Sequence, residues 1–245
     1  TMLTWMAARY PGPMLGTVVM CNSFRSPSLL AKMSASLQEM SMGRLILGYG
    51  AGWYEDEYRS YGFDYPSAGV RVDMFEEGVQ IIKKMWVDSP ANFRGKYYHI
   101  DNVYCEPRPD PQPVLMLGGG GERKTLRVVA QYADWWNDVM RPIPDLSRKL
   151  EILKQHCEAV GRDYNSIRKT LAPRFFIDKN HRKAISMAEG KNDTGQVIAG
   201  DPAAVCDQLH ELAEMGFDMV VTTFPKFQEL DDMKLFVEEV IPQFS

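Results

Sequence analysis

Apolar positions along this chain fall into two alternating patterns: short unbroken runs, and longer stretches spaced by three and four residues. Residues 15–21 (LGTVVMC), 44–49 (RLILGY), 114–117 (VLML), 134–137 (DWWN), 170–177 (interrupted by Pro173) and 218–224 (DMVVTTF) read as strands buried on both faces. Between them lie helical patterns: Leu29, Leu30, Met33, Leu37 and Met40; Met74, Phe75, Val79, Ile82 and Trp86; Leu126, Val129, Ala130 and Ala133; Leu146, Leu150, Leu153 and Cys157. Val205, Leu209 and Leu212 mark another, and Met233, Phe236, Val237 and Val240 the last. Ser26-Pro27 and Asp201-Pro202 supply start signals, and Gly43 and Gly216 close two helices. Residues 92–113 break the rhythm, alternating through Lys96-Tyr97-Tyr98-His99-Ile100 before turning proline-rich, which predicts a hairpin excursion.

Strands alternating with helices predict an α/β fold with a parallel sheet and outer helices. A doubly wound sheet would place G-x-G-x-x-G after its first strand, with an acidic residue some way on. Here the early glycines read G-x-G-x-G, and the richest glycine run sits mid-chain, at Gly118-Gly119-Gly120-Gly121. In a barrel every strand's C-terminal end faces one mouth, so a mid-chain site is no anomaly. The (β/α)8 barrel therefore fits better, as one domain over residues 1–245 with excursions at about 53–69, 92–113 and 179–200.

Composition narrows the function. A chain of 245 residues, 45% hydrophobic and 24% charged, is ordinary globular protein, and a net charge of -4 argues against nucleic acid or anionic membrane as partner. No apolar run approaches the ~18 residues that span a bilayer, and no basic-then-apolar leader opens the sequence. The 4 cysteines are scattered without metal-ligand spacing, so no metal site is expected and a reduced cytoplasmic protein is the default. The 15 methionines fall mostly on helical apolar faces and are expected to fill the core.

The run Gly118–Gly121, followed by Glu122-Arg123-Lys124-Thr125-Leu126, joins a predicted strand to a predicted helix. Backbone N–H groups there can converge on an anion, aided by the helix N-terminus and the Thr125 hydroxyl. A phosphate cradle and a plain flexible turn are both compatible with the glycines.

Residues 43–58 (GRLILGYGAGWYEDEY) with Tyr61-Gly62 resemble the signature of the luciferase-like monooxygenase family, in particular its deazaflavin (coenzyme F420)-dependent oxidoreductases. The likeness extends through Leu15-Gly16-Thr17, residues 24–32, Gly118 to Leu126, and residues 133–137, covering the first 140 or so residues densely. It implies a luciferase-like (β/α)8 TIM barrel holding F420, or alternatively FMN, at its mouth. It also implies that the first strand, first helix and second strand of such a barrel are absent. That would leave residues 15–21 and 218–224 as unpaired edges. A fragment, a short natural form and a barrel completed by a partner all remain open.

By position, the resemblance implies a non-prolyl cis peptide at Val18–Val19 in a bulge behind the cofactor ring. It implies cofactor contacts from Gly50, Ala51 and Gly52, and from the phosphate turn Gly119, Gly120, Gly121, Glu122 and Thr125, with Glu122 using its backbone N–H. Ala51 stands where true luciferases hold a phosphate-binding arginine, which favours F420 over FMN. Trp53 stands where some deazaflavin relatives carry an acid; it cannot donate a proton but can stack on ring or substrate, or lid the mouth. Asn22 and Asn137 are expected to point into the mouth, as ligand contacts or loop caps. His156, His181 and His210 are expected to be solvated, while His99, alternating with Tyr98 in the excursion, is the histidine that stands as a substrate-contact candidate. The family's acid–base residues fall on the missing second strand, so no catalytic residue is assigned. The implied reaction is hydride transfer with a small organic substrate by a homo-oligomer, expected to be a dimer. The alternatives are an FMN-dependent monooxygenase and a non-catalytic flavin binder or fragment. A phosphate-binding isomerase or aldolase would share the cradle, but no Schiff-base lysine stands at a strand end, Lys124 and Lys179 included.

Overall fold

A computed structural model describes residues 1–190, 197–223 and 230–244. The chain begins with α1 (Met2–Arg9), β1 (Leu15–Gly16), β2 (Met20–Cys21), α2 (Pro27–Met40) and β3 (Leu45–Gly50). It continues through α3 (Glu55–Ser60), α4 (Ala68–Val87), the hairpin β4 (Ala91–Arg94) and β5 (His99–Val103), then β6 (Val114–Gly118), α5 (Thr125–Tyr132) and β7 (Trp135–Val139). The remainder is α6 (Ile143–Ala159), β8 (Arg168–Ala172), β9 (Arg174–Ile177), α7 (His181–Ala188), β10 (Val197–Gly200), α8 (Pro202–Glu214), β11 (Met219–Val220) and α9 (Asp231–Leu235).

The main sheet is parallel, in the order β1-β3-β6-β7-β8-β11, with β2 also paired to β3. Its six-position path is an α/β barrel arc in which, among the described residues, β1 and β11 do not pair. Pro173 lacks the N–H a ladder needs and divides β8 from β9, which pairs with β10 in a separate two-stranded sheet. Thr223 bridges to Arg174, and Phe224 of the predicted last strand lies outside the described residues, as do residues 191–196 of the predicted excursion.

Polar side chains anchor the N-terminal ends of β3, β6 and β8. The Asp134 carboxylate accepts from the Leu115 N–H (2.8 Å), and that of Asp218 from the Lys169 N–H (2.7 Å). The Arg44 guanidinium donates to the carbonyls of Ala7 (2.9 Å), Tyr10 (2.9 Å) and Pro13 (2.6 Å), tying α1 to the base of β3. Glu77 on α4 caps the hairpin by accepting from the N–H groups of Lys96, Tyr97 and Tyr98. The core lies between the sheet and α2, α4, α5, α6 and α8, around Trp86, Trp136, Tyr49, Phe75 and Phe175, all fully buried. Burying each such side chain contributes on the order of 1.5–3 kcal/mol.

One expectation fails. Only Met85 and Met116 are buried in the core, while Met2, Met14, Met33, Met40, Met42 and Met233 are exposed. The apolar faces of α1 and α2 are only partly covered by the rest of the chain. α2 starts where the Ser26-Pro27 signal places it, with Ser26 at the N-cap and Pro27 in the first turn, the Ser26 hydroxyl meeting that of Ser28 at 2.9 Å.

Candidate functional site

The predicted strand 15–21 is two short strands with an insertion between them. Gly16 is level with Ile46 and Met20 with Tyr49, so four steps on this segment oppose three on β3. One residue is extra, which makes residues 17–19 a β-bulge. The Val18–Val19 peptide is cis, at the expected bond. Glycines on the neighbouring strands make the bulge possible. A Cβ on Gly48 would lie 1.7 Å from the Thr17 carbonyl oxygen, and Cβ atoms on Gly50 and Gly118 would lie 2.8 and 2.7 Å from Cγ2 of Val19. Thr17 fastens the bulge by donating its hydroxyl to the Gly48 carbonyl (3.0 Å).

The bulge floors a cavity of about 400 Å³ at the C-terminal ends of β3, β6 and β7, the end where barrels carry their sites. Val18 to Cys21 form the floor, Gly50 to Tyr54 one wall, Gly118 to Gly121 with Thr125 the opposite wall, and Asn137 to Val139 the side. Glu57, Tyr58, Arg71 and Val72 complete the rim.

The glycine wall is built for close approach. A Cβ on Gly120 would fall 2.2 Å from Oδ2 of Asp138, and one on Gly121 2.6 Å from the Thr125 hydroxyl. The Gly119 N–H is spent on the Asn137 carbonyl (2.9 Å), and Trp136 donates its indole N–H to the Gly119 carbonyl (3.0 Å). No backbone or side-chain acceptor among the described residues takes the N–H groups of Gly120, Gly121 or Glu122, or pairs with the Thr125 hydroxyl. From outside, α6 holds the loop in place. The buried Lys149 ammonium donates to the Gly120 carbonyl, a His156 ring nitrogen meets the Glu122 carbonyl (2.8 Å), and Arg148 pairs with the Glu122 carboxylate (3.0 Å). Open amides and a free hydroxyl where no Cβ would fit suit the phosphate of a flavin or deazaflavin.

On the opposite wall Tyr58 is the organising group. Its hydroxyl pairs with Cys21 Sγ (3.0 Å) and donates within reach of Ser23 Oγ (2.9 Å) and the Ala51 carbonyl (3.2 Å). Burial, then the Cys21 contact, push the Tyr58 phenol up to about 12, so it is neutral at any working pH. Gly52, at φ +78°, leaves room for this pair. Arg71 on α4 donates Nε to the Gly52 carbonyl (3.2 Å), donates Nη1 to the Pro66 carbonyl, and stacks 4.0 Å over the Tyr65 ring.

Of the residues expected at the site, Val18, Val19, Gly50, Ala51, Gly52, Trp53, Gly119, Gly120, Gly121, Thr125 and Asn137 line this one cavity. Asn22 does not. The 3-10 turn of residues 22–24 carries it inward, where it is fully buried, accepts from the Tyr49 hydroxyl (2.5 Å) and donates to that of Tyr98 (2.9 Å). The Glu122 side chain faces α6 rather than the cavity. Asn137 lines the side wall with its amide held by the Thr170 hydroxyl (2.8 Å), and Trp53 stands 79% exposed at the rim. His99 is exposed on β5, away from the cavity, and His156 is engaged by the glycine loop rather than solvated. His181 lies 3.4 Å from the Asp201 carboxylate and His210 stacks on Phe244. Lys124 and Lys179 are spent on Asp73 and Glu239. Sequence reasoning missed Tyr58, Arg71 and Asp138. Arg71 left a trace, since it shares a helical face with Phe75, Val79 and Ile82 and is therefore expected to be buried.

Fold and site together define a barrel that presents a cofactor-sized cavity with a glycine cradle. Residues 1–195 match the family model for luciferase-like monooxygenase, and the chain belongs to that family. It is 25% identical over 284 positions, 98% of this chain and 83% of the relative, to an F420-dependent glucose-6-phosphate dehydrogenase of Amycolatopsis mediterranei. An FMNH2-dependent dimethylsulfone monooxygenase of Pseudomonas fluorescens is 21% identical, over 97% of this chain and 72% of its own. The coenzyme F420-dependent tetrahydromethanopterin reductase of Methanopyrus kandleri shares the fold, with a TM-score of 0.84 at 21% identity, over 99% of this chain and 86% of that one.

Proposed function

We propose that this chain is an oxidoreductase that binds coenzyme F420 in the bulge-floored cavity and serves hydride transfer to or from a small organic substrate. The observation that carries the reading is the cradle of open N–H groups at Gly120, Gly121 and Glu122 beside the free Thr125 hydroxyl, continuous with the Val18–Val19 floor. The likeness to an F420-dependent dehydrogenase over nearly the whole chain supports it. The cofactor supplies two-electron hydride chemistry at its ring. The residues named here hold and orient: the glycine wall takes the phosphate, the bulge sets the depth of the ring, and Trp53 at the rim limits water. No proton-transfer residue is assigned.

FMN is the second reading, favoured by the likeness to the FMNH2-dependent monooxygenase. Titration of the purified chain with F420 and with FMN, followed by fluorescence, separates them. Saturable micromolar binding of F420 alone supports the proposal, and tighter FMN binding moves the reading to a flavin monooxygenase. Binding of neither makes the chain a non-catalytic relative or a fragment.

The chain is further read as one domain. Exposed Met2, Trp5, Leu29, Met33 and Met40 on α1 and α2 support self-association into a dimer, read by light scattering. No helix among the described residues is long and apolar enough to cross a membrane, and the four cysteines are free thiols, which supports a reducing, cytoplasmic setting.

A further inference from the structure

Arg71 is a buried cation without an anion. It is only 7% exposed, yet its partners are the carbonyls of Gly52 and Pro66 and the face of Tyr65; no carboxylate among the described residues pairs with it. These bonds use Nε and Nη1, and no acceptor among the described residues takes the Nη2 edge. Arginine is rarely buried unless paired, so an unpaired guanidinium in a cavity wall marks where a ligand anion is received.

Arg71 stands in one cavity with the glycine cradle. Arg71 closes the first turn of α4, and the turns after it are fastened to the start of α5 by Asp73–Lys124 (2.5 Å) and Glu76–Arg127 (2.7 Å). Ala68, Arg71 and Val72 therefore line the same cavity as Gly119, Gly120 and Thr125. Behind the cradle Lys149 is held on the Gly120 carbonyl, while carboxylates stand at the cavity itself. The Asp138 carboxylate stands against Gly120, and although Arg141 neutralises it at 3.1 Å, Glu57 adds a second carboxylate to the wall. A guanidinium in the cavity wall would add to the backbone dipoles and offset that acidic background for a bound phosphate.

We propose that Arg71 closes the phosphate subsite from the α4 side, its Nη2 edge donating to the phosphate of the bound cofactor while Nε and Nη1 keep the guanidinium on the wall. This rests on the F420 reading above. The subsite would receive any phosphate monoester or diester, so cofactor and substrate phosphates are separated by the test.

The test compares F420 with its phosphate-free chromophore, and FMN with riboflavin, in wild type, Arg71→Met and Arg71→Lys. Loss of a charge-assisted contact predicts a roughly 10- to 100-fold weaker binding of the phosphorylated partner in Arg71→Met, with the phosphate-free partner nearly unchanged and Arg71→Lys intermediate. Equal weakening of both members of a pair would reduce Arg71 to a prop for the Gly52–Pro66 segment and overturn the proposal. Unchanged binding of both would overturn it as well, including in favour of a substrate phosphate. Thermal protection by inorganic phosphate needs no chromophore and serves if Arg71→Met does not fold or neither cofactor binds. Protection in wild type that shrinks in Arg71→Lys supports the subsite even where the F420 reading fails. Equal protection in both, or none in either, overturns it.

Discussion

Substituting Gly52 by Ala tests the wall opposite the glycine cradle in two separable ways. The residue sits at φ +78°, where an L side chain costs about 1–2 kcal/mol. The added Cβ would also lie 2.2 Å from the Tyr58 hydroxyl oxygen and 2.5 Å from Cys21 Sγ. Relieving that overlap means displacing the Tyr58–Cys21 pair, and overpacking of this kind costs about 1–3 kcal/mol more. Gly62→Ala is the internal control, because Gly62 has φ +74° but open space around its Cβ position. In urea unfolding followed by tryptophan fluorescence, Gly62→Ala is expected to lose about 1–2 kcal/mol and Gly52→Ala about 2–5 kcal/mol, at unchanged denaturant slope. In a Tyr58→Phe, Cys21→Ala background the Gly52→Ala cost should fall toward that of Gly62→Ala, a coupling of about 1–3 kcal/mol. Equal losses at both glycines, or no coupling, would refute the packing described for this wall.

Three further outcomes follow. Asn22→Ala strands the buried Tyr49 hydroxyl and the half-buried one of Tyr98, and should cost about 2–4 kcal/mol in the same assay; a loss under about 1 kcal/mol contradicts the network. Gly120→Asp drives a side chain into Asp138 and sets a carboxylate in the cradle, so cofactor affinity should fall at least about tenfold while the fold persists. Retained affinity would remove the glycine loop from the site. The Tyr58 and Tyr164 phenols are pushed up to about 12 by burial, so their ionised forms are favoured only in the unfolded chain. Their contribution is complete below pH 10 and is lost as pH rises from about 10 to about 12, so stability falls across that window. Tyr58→Phe with Tyr164→Phe should flatten the fall, and absorbance at alkaline pH should show both phenols titrating late.

The strand and helix rhythm was legible because β3 and β6 are largely apolar on both faces, β7 opens on two tryptophans, and the helices between them carry one buried stripe each. The glycine run was legible because its position between β6 and α5 follows from that rhythm. Other features depend on direction rather than order. Asn22 directly follows β2, yet a single 3-10 turn points it into the core rather than the mouth. The insertion at residues 17–19 shows only in the register against β3, which periodicity does not report, and was anticipated through the family resemblance alone. Tyr58 and Asp138 reach the cavity from a short helix and from the end of a strand whose facing is set by its neighbours. Methionines on α1 and α2 misled because a helical apolar stripe says that a face is covered, not that this same chain covers it.

Hydrogen–deuterium exchange of the chain with and without F420 tests the central claim most directly, because it locates the ligand instead of only detecting it. The account predicts slowed exchange confined to residues 18–21, 50–53 and 118–125, the floor and two walls of the cavity. Saturable binding with protection elsewhere, such as the depression lined by Lys154, Cys157 and Arg162, would contradict it.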